Sequence, residues 1–284
     1  MCTIVIHGTM TVAAAKHSRW WWVSGEEPGF LHAVRLGMEE AGAASDVWKL
    51  AGQDVAGIPA LRPTWSLWRG RRGQFPQHQG HFTWDGADMG ISRLAGADQL
   101  VLYLNALREL APSEPLRIIA HSHGGNVVKL ASSRPKLRPD VVIERAVFLA
   151  CPHLDTQGIS GTEQVYPLDP RRFGAILNLY SASDTVQTTI AETWTGLPSA
   201  RLVEWQGMTA HRVDTDPKAR RLYQDCEIPT SDAGVAAHTA MHGAVVGYLA
   251  GRWLAEGGDL GRLRQGLPGF DREMLPVPKG DRGE

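Results

Sequence analysis

A serine set between two histidines and followed by two glycines is the stretch of this sequence best suited to chemistry, Ala120-His-Ser-His-Gly-Gly125. Apolar residues run up to Ala120, and a segment able to begin a helix follows the glycines. A sharp strand-to-helix turn of this kind raises a serine hydroxyl above a sheet, where it can act as a nucleophile. Such a turn requires small residues two positions before and after the serine, and Ala120 and Gly124 are small. The spacing therefore predicts Ser122 as a nucleophile.

The neighbours of Ser122 have predicted roles of their own. Helix N–H groups directed at the serine suit a developing oxyanion, and Gly125 allows the helix to pack closely on its strand. The alternative role of Ser122 is to cap the helix without chemistry. We expect His121 and His123 to be local packing or polar residues, because a general base must approach the hydroxyl from another loop.

A carboxylate follows a later apolar run, where an acid that orients the base is expected. Residues 176–180 predict a strand, and Asp184 comes just past its end. The alternative is that Asp184 caps a helix over 185–192. Asp155 and Asp169 are the other candidate acids.

Two histidines near the end of the chain are candidates for the base. His238 follows a polar stretch and precedes an amphipathic helix that runs to about residue 255. His242 comes four residues later and is expected within that helix, beside the core. We favour His238 because it lies in the loop itself, and His242 stays the alternative.

For Ser122, Asp184 and His238 to meet, the strands before them must end at the same edge of one sheet. The apolar runs of the sequence predict such strands. The alternation of patterns predicts an α/β fold with a mostly parallel central sheet and helices on both faces, whose site lies at the carboxyl ends of the strands. We expect a polar excursion over 208–237. The predicted strands are 3–7, a run ending at 120, 141–150, 176–180 and 201–206, and the predicted helices are 29–42, 91–110, 124–133 and the final helix.

Composition narrows the class of protein. The chain has 284 residues, of which 43% are hydrophobic and 21% charged, so we expect one domain over 1–284 with an ample core. A net charge of −1 gives no electrostatic case for nucleic acid. Three widely spaced cysteines fit neither a disulfide framework nor a zinc site, and we predict no metal and no cofactor. Without a signal peptide or a transmembrane run, a cytoplasmic location is expected.

Three segments depart from the regular pattern. Residues 52–83 mix glycine, proline, arginine and tryptophan, and predict an irregular insertion that forms a flap or a solvated loop. Residues 156–173 are polar and predict a small lid over the site. The tail over about 266–284 is rich in proline. The tryptophans at 20–22 line an acyl pocket or anchor their loop to the core.

These pieces resemble the α/β-hydrolase superfamily, specifically its bacterial lipase and esterase members. They also look like a group of bacterial hydrolases with His-Gly-Thr, a Trp-Trp pair, Phe-x-Trp-x-Gly and His-Ser-His-Gly-Gly. That group usually has serine after the tryptophan of the third motif, where this chain has Asp85. The matching stretches are His7-Gly8-Thr9, Trp20-Trp21, Phe82-Thr83-Trp84-Asp85-Gly86, the serine turn, Asp184, and His238 ahead of the last helix.

The resemblance implies roles for further residues. The backbone N–H groups of Thr9 and His123 would form an oxyanion hole, and Met10, Trp21 and Trp84 would contact the substrate. The order Ser122, Asp184, His238 is the order of the superfamily's catalytic triad.

The resemblance implies a serine hydrolase of carboxylic esters, acting on a small-molecule or lipid ester through an acyl-enzyme. Some proteins of this kind are antibacterial lipase effectors, for which a signal-independent secretion system and a delivery or immunity protein would be partners. The alternatives are a thioesterase, a peptidase, or a binding protein on a hydrolase scaffold.

Overall fold

Five parallel strands form the main sheet of the part of the chain that the computed structural model describes. That part comprises residues 2–8, 30–43, 82, 84, 86, 90–152, 154–159, 162–165, 168–181, 183–184, 201–202, 221–228, 237–238, 241 and 243–258. The strands are β1 (Cys2–Ile6), β2 (Leu116–His121), β3 (Ile143–Leu149), β4 (Leu154–Ile159), β5 (Thr162–Val165), β6 (Phe173–Tyr180), β7 (Arg201–Leu202) and β8 (Tyr223–Glu227). The main sheet has the order β1-β2-β3-β6-β8.

Helices cover both faces of this sheet because successive strand residues point to opposite sides. The helices are α1 (Phe30–Glu40), α2 (Gly90–Leu110), α3 (Gly124–Ser132) and α4 (Ala244–Glu256). On one face Ile118 and Phe148 pack in one core with α2 and α3. On the other face Ile119 and Val147 pack in a second core with α1 and α4. The predicted α/β arrangement with a parallel sheet is confirmed.

The predicted elements agree with the structure except near the end of the sheet. The helix predicted over 29–42 is α1, whose face of Phe30, Val34 and Met38 is buried as expected. The last strand predicted over 201–206 is wrong for the main sheet: β7 pairs antiparallel with β4 instead. Among the described residues, the outermost strand on this side of the main sheet is β8, inside the stretch predicted as a polar excursion. Its side chains are only half buried, so its sequence lacks the apolar run by which an inner parallel strand is recognised.

The segment predicted as a small lid contains a hairpin. β4 and β5 pair antiparallel, and with β7 they form a separate three-stranded sheet that begins just after β3. The lid role itself stays a prediction. Apart from Phe82, the insertion predicted over 52–83 lies outside the described residues, as does the proline-rich tail. None of the helices in the described ranges is long and apolar enough to cross a membrane.

Glycines bring α1 and α4 into backbone contact. A Cβ at Gly251 would overlap the carbonyl oxygen of Val34, and a Cβ at Gly247 would overlap that of Phe30. In the other direction, a Cβ at Gly37 would overlap the carbonyl oxygen of Tyr248. The two helices therefore pack more closely than side chains at these positions would allow, and both pack on the same face of the sheet.

Gly251→Ala tests this packing. Helix propensity alone would stabilise the variant by about 1 kcal/mol. Overlap with a backbone carbonyl costs about 1–3 kcal/mol or more, and a backbone atom cannot move aside as a side-chain tip can. The difference between the two is a net loss of about 0–2 kcal/mol or more in the free energy of urea unfolding, and we expect the upper part of that range because the carbonyl cannot move aside. Ala255→Gly in the same helix is the matched control, with a loss of about 1 kcal/mol or less; a more stable Gly251→Ala variant would contradict the packing.

Candidate active site

Ser122 lies in a strained turn between β2 and α3. Its φ of 51° is in the left-handed region, which costs a residue with a side chain roughly 1–2 kcal/mol. Hydrogen bonds hold the turn on both sides: the Ser122 N–H donates to the Leu149 carbonyl at 2.9 Å, and the Gly125 N–H donates to the Ser122 carbonyl at 3.0 Å. Strain of this kind persists where surrounding contacts enforce it, often at functional sites. The backbone therefore makes the strand-to-helix turn that the sequence predicts.

Two glycines allow the loop after β1 to lie against this turn. A Cβ at Gly8 would be 2.5 Å from the Ser122 Cβ and 3.1 Å from the Ser122 Oγ. A Cβ at Gly124 would be 2.6 Å from the His7 carbonyl oxygen. Contacts this short are not tolerated between real side chains, so both positions require glycine. The smallness predicted for Gly124 thus has a tertiary cause, the approach of the His7 backbone.

His7 is locked in place by Trp84. The Trp84 backbone N–H donates to His7 Nε2 at 3.2 Å, the indole N–H donates to the His7 carbonyl at 2.8 Å, and the rings stack at 5.5 Å. Because Nε2 accepts, Nδ1 carries the proton and donates to the Gly8 carbonyl at 2.8 Å. Burial lowers the pKa of His7 to about 4, so the ring is neutral at neutral pH. Trp84, predicted to contact substrate, is 1% exposed, and these contacts make it a clamp on the loop.

His123 is held by a side chain of the first turn of α3. Asn126 Nδ2 donates to the Pro152 carbonyl at 2.6 Å and lies 3.1 Å from His123 Nδ1. Because the amide nitrogen can only donate, His123 Nδ1 accepts and its proton is on Nε2. At Gly125 a Cβ would be 2.5 Å from the Cys151 Sγ, so this glycine brings α3 against the segment after β3.

Asp184 and His238 form a buried pair. Asp184 follows β6, and its N–H donates to the Ser181 carbonyl at 3.1 Å. Its Oδ2 lies 2.7 Å from His238 Nδ1, with 0% of the Asp184 side chain and 12% of the His238 side chain exposed. At this distance Nδ1–H donates to the carboxylate, which leaves Nε2 as the basic nitrogen of the ring.

Two observations place His238 beside the serine turn. Its ring centroid is 4.8 Å from that of His121, with 53° between the planes, and His121 directly precedes Ser122. The pKa of His123 is lowered well below its ordinary value, first by burial and then by the positive charges of Arg93 and His238. The structure therefore brings the predicted acid, the predicted base and the turn that carries Ser122 to one edge of the sheet.

The other candidates fall elsewhere. Asp169 precedes β6, caps the short 3-10 helix Pro170–Arg172 and pairs with Arg171 at 2.9 Å, at the opposite end of the strand from Asp184. The last helix, which was expected to include His242, begins at Ala244 with Gly243 as its N-cap. Asp155 lies in β4. Its side chain is outside the described part of the structure, as are His242 and the predicted contact residues Thr9, Met10 and Trp21.

Sequence reasoning missed two residues that shape the site. Asn126 was not singled out, although asparagine inside a helix is a weak helix former and thus a sign of a specific contact. Ala150 has φ of 46° and turns the chain after β3 toward Pro152. Nothing in the local sequence marks an alanine for this conformation, which glycine usually adopts.

Comparison with known proteins adds no identification: no family model matches the chain, and no curated protein matches it. Within the described residues, no three histidine, cysteine, aspartate or glutamate side chains gather as a site for a metal ion.

The arrangement is suited to acid–base chemistry at a hydroxyl. An imidazole oriented by a buried carboxylate can take a proton, and the strained turn that carries Ser122 directly follows His121, whose ring lies against that imidazole. The amino end of α3 favours negative charge at the same place.

The burial of His7 predicts a pH dependence of stability. The unfolded chain binds a proton at His7 as the pH falls through about 6.5, whereas the folded protein binds it only near pH 4. The contribution is therefore complete above pH 6.5 and is lost as the pH falls from 6.5 to 4, by about 3 kcal/mol. We expect the free energy of urea unfolding to fall by about 3 kcal/mol more between pH 7 and pH 4 in the wild type than in His7→Gln. For each protein the change is measured from its own free energy of unfolding at pH 7. If this free energy falls equally with pH in the wild type and in His7→Gln, the buried neutral ring is contradicted.

Proposed function

We propose that this protein is a serine hydrolase that cleaves a carboxylic ester, in the manner of a lipase or esterase, on an α/β-hydrolase fold. The observation that carries the proposal is the buried hydrogen bond between Asp184 and His238, 2.7 Å long, at the sheet edge where Ser122 occupies a strained turn. A buried carboxylate of this kind orients the imidazole and stabilises the imidazolium that forms when the ring takes a proton.

The reaction would proceed in two halves. His238 Nε2 takes the hydroxyl proton as Ser122 Oγ attacks the ester carbonyl carbon, and the carbonyl electron pair moves to the oxygen. The N–H groups of His123 and, by the resemblance described above, of Thr9 stabilise that oxyanion. Collapse expels the alcohol, which receives the proton from His238, and leaves an acyl-enzyme. Water then attacks in the same way and releases the acid and Ser122.

The low pKa values of His7 and His123 support a reaction in which His238 is the histidine that becomes positively charged. The pKa of His123 is lowered well below its ordinary value, first by burial and then by the positive charges of Arg93 and His238. Like charges oppose each other, so a protonated His123 would make an imidazolium at His238 less favourable. With the pKa of His7 lowered to about 4, both flanking rings stay neutral while His238 carries the proton.

A reactive-site probe separates an enzyme from a binding protein on the same scaffold. A fluorophosphonate should label the wild type at Ser122, and no labelling of the folded protein would contradict the enzyme proposal. A chain-length series of p-nitrophenyl esters, together with phospholipids, thioesters and peptides, then identifies the bond that is cleaved. The preference for esters rests on the resemblance, since a thioesterase or a peptidase would use the same three residues.

Single and double substitutions of Ser122 and His238 test whether His238 is the general base. Ser122→Ala and His238→Ala should each lower kcat by about 10⁴ or more, and the double variant should be no worse than either, because the two residues act as a unit. His242→Ala is the matched control and should keep at least about a tenth of the activity. An inactive His242→Ala beside an active His238→Ala would reverse the assignment of the base.

Substitutions of the aspartates at the two ends of β6 test whether Asp184 is the acid that orients His238. Asp184→Asn should lower kcat by about 10²–10⁴ because the amide no longer orients the imidazole. Asp169→Asn makes the same chemical change at the other end of the strand and should leave kcat within about threefold, because its contacts lie away from the edge that carries Ser122. Measuring kcat for both variants and for Asp155→Asn decides the matter: if the change at Asp155 is the most damaging, Asp184 is not the acid.

A further inference from the structure

We propose that His121 is a positioning residue, whose ring sets the orientation of the His238 ring relative to Ser122. The inference rests on the proposed function, and it goes beyond it by giving a role in the reaction to the histidine before the serine. The observation that carries it is the contact between the two rings, whose centroids are 4.8 Å apart.

One hydrogen bond cannot orient the base by itself. The bond from His238 Nδ1 to Asp184 Oδ2 fixes the distance between two atoms, but the ring can still tilt about that contact. Tilting moves Nε2, the nitrogen that must meet the serine hydroxyl. A second contact with the ring restricts this freedom, and the His121 ring provides one, at 53° to the plane of the His238 ring.

His121 is itself rigidly held. It is the last residue of β2, it pairs with Leu149 of β3 in the parallel ladder, and it is 5% exposed. It also lies against the loop after β1, since a Cβ at Gly8 would be 3.1 Å from His121 Nδ1. The ring therefore contacts both that loop and the base.

The position of His121 directly before Ser122 makes its contact with His238 important for the geometry of the reaction. The residue that carries the nucleophile follows His121 directly, so the surface that His238 rests on and the hydroxyl that it must reach belong to the same strand end. A shift of the turn would move both together. A misplacement of about 1 Å in such a site lowers rates by about 10²-fold, so the contact should affect turnover more than binding.

A contact between two rings requires an aromatic ring at position 121, which distinguishes this role from one that depends on the ring nitrogens. His121→Phe keeps the ring, whereas His121→Ala removes it. We expect His121→Ala to lower kcat on the p-nitrophenyl ester by about 10- to 100-fold with KM changed by less than about threefold. His121→Phe should stay within about threefold of the wild-type kcat. A phenylalanine variant as slow as the alanine variant would show that the nitrogens matter instead.

Controls separate positioning from folding. Ile118→Val is a buried change in the same strand and should leave kcat within about twofold, because it perturbs packing away from the rings. If His121→Ala does not fold, His121→Leu replaces it, since leucine fills the space without a flat face. It should be as slow as expected for alanine, and a leucine variant as fast as phenylalanine would overturn the inference.

Fluorophosphonate labelling keeps this inference distinct from the proposed function. Failure of the wild type to label overturns the serine hydrolase itself. A wild type that labels, beside a His121→Ala variant that labels at the same rate, overturns only the role of His121. The expected result is a labelling rate that falls by the same factor as kcat and returns in His121→Phe.

Discussion

The close approach of two backbone turns, one at His7–Gly8 and one at Ser122, is the constraint on which the described site depends. The parallel register of β1 and β2 pairs Ile6 with Ala120, so both strands end at the same level and their turns must share one space. Glycine at positions 8 and 124 makes that possible, because a Cβ at either would lie 2.5–2.6 Å from the opposing turn. The left-handed conformation of Ser122 is sustained by this packing and by the ladder to Leu149.

Burial then decides the charges at this edge. His7 loses its ability to hold a proton near neutral pH because it is desolvated, and His123 does so for the same reason, with nearby positive charge as a further cause. Asp184 is fully buried but has His238 as its hydrogen-bond partner, and a buried carboxylate requires such a partner. The edge thus contains four histidines, His7, His121, His123 and His238, of which His238 is hydrogen-bonded to this carboxylate.

The base reaches the site through elements far away in sequence. β8 joins the sheet beside β6, and the Ile228 N–H donates to the Tyr180 carbonyl at 2.7 Å. After His238 the chain enters α4, which the glycines hold against α1. The carboxyl end of α4 is tied back to β3, where the Arg145 guanidinium donates to the Leu254 and Ala255 carbonyls at 2.5 and 2.6 Å. These contacts anchor both flanks of the segment that carries His238.

The sequence by itself determined the α/β class, the inner parallel strands and the turn at Ser122, because these follow from local apolar runs and from small residues at close spacing. It also placed Asp184 after β6, since an acid past a strand end needs only the strand to be recognised. Only the tertiary structure decided that β8 (Tyr223–Glu227) joins the main sheet beside β6, that Trp84 clamps His7, and that the His121 ring lies against His238. An edge strand with half-buried side chains carries no strong apolar period, and a contact between residues 77 or 117 positions apart depends on packing that no local pattern encodes.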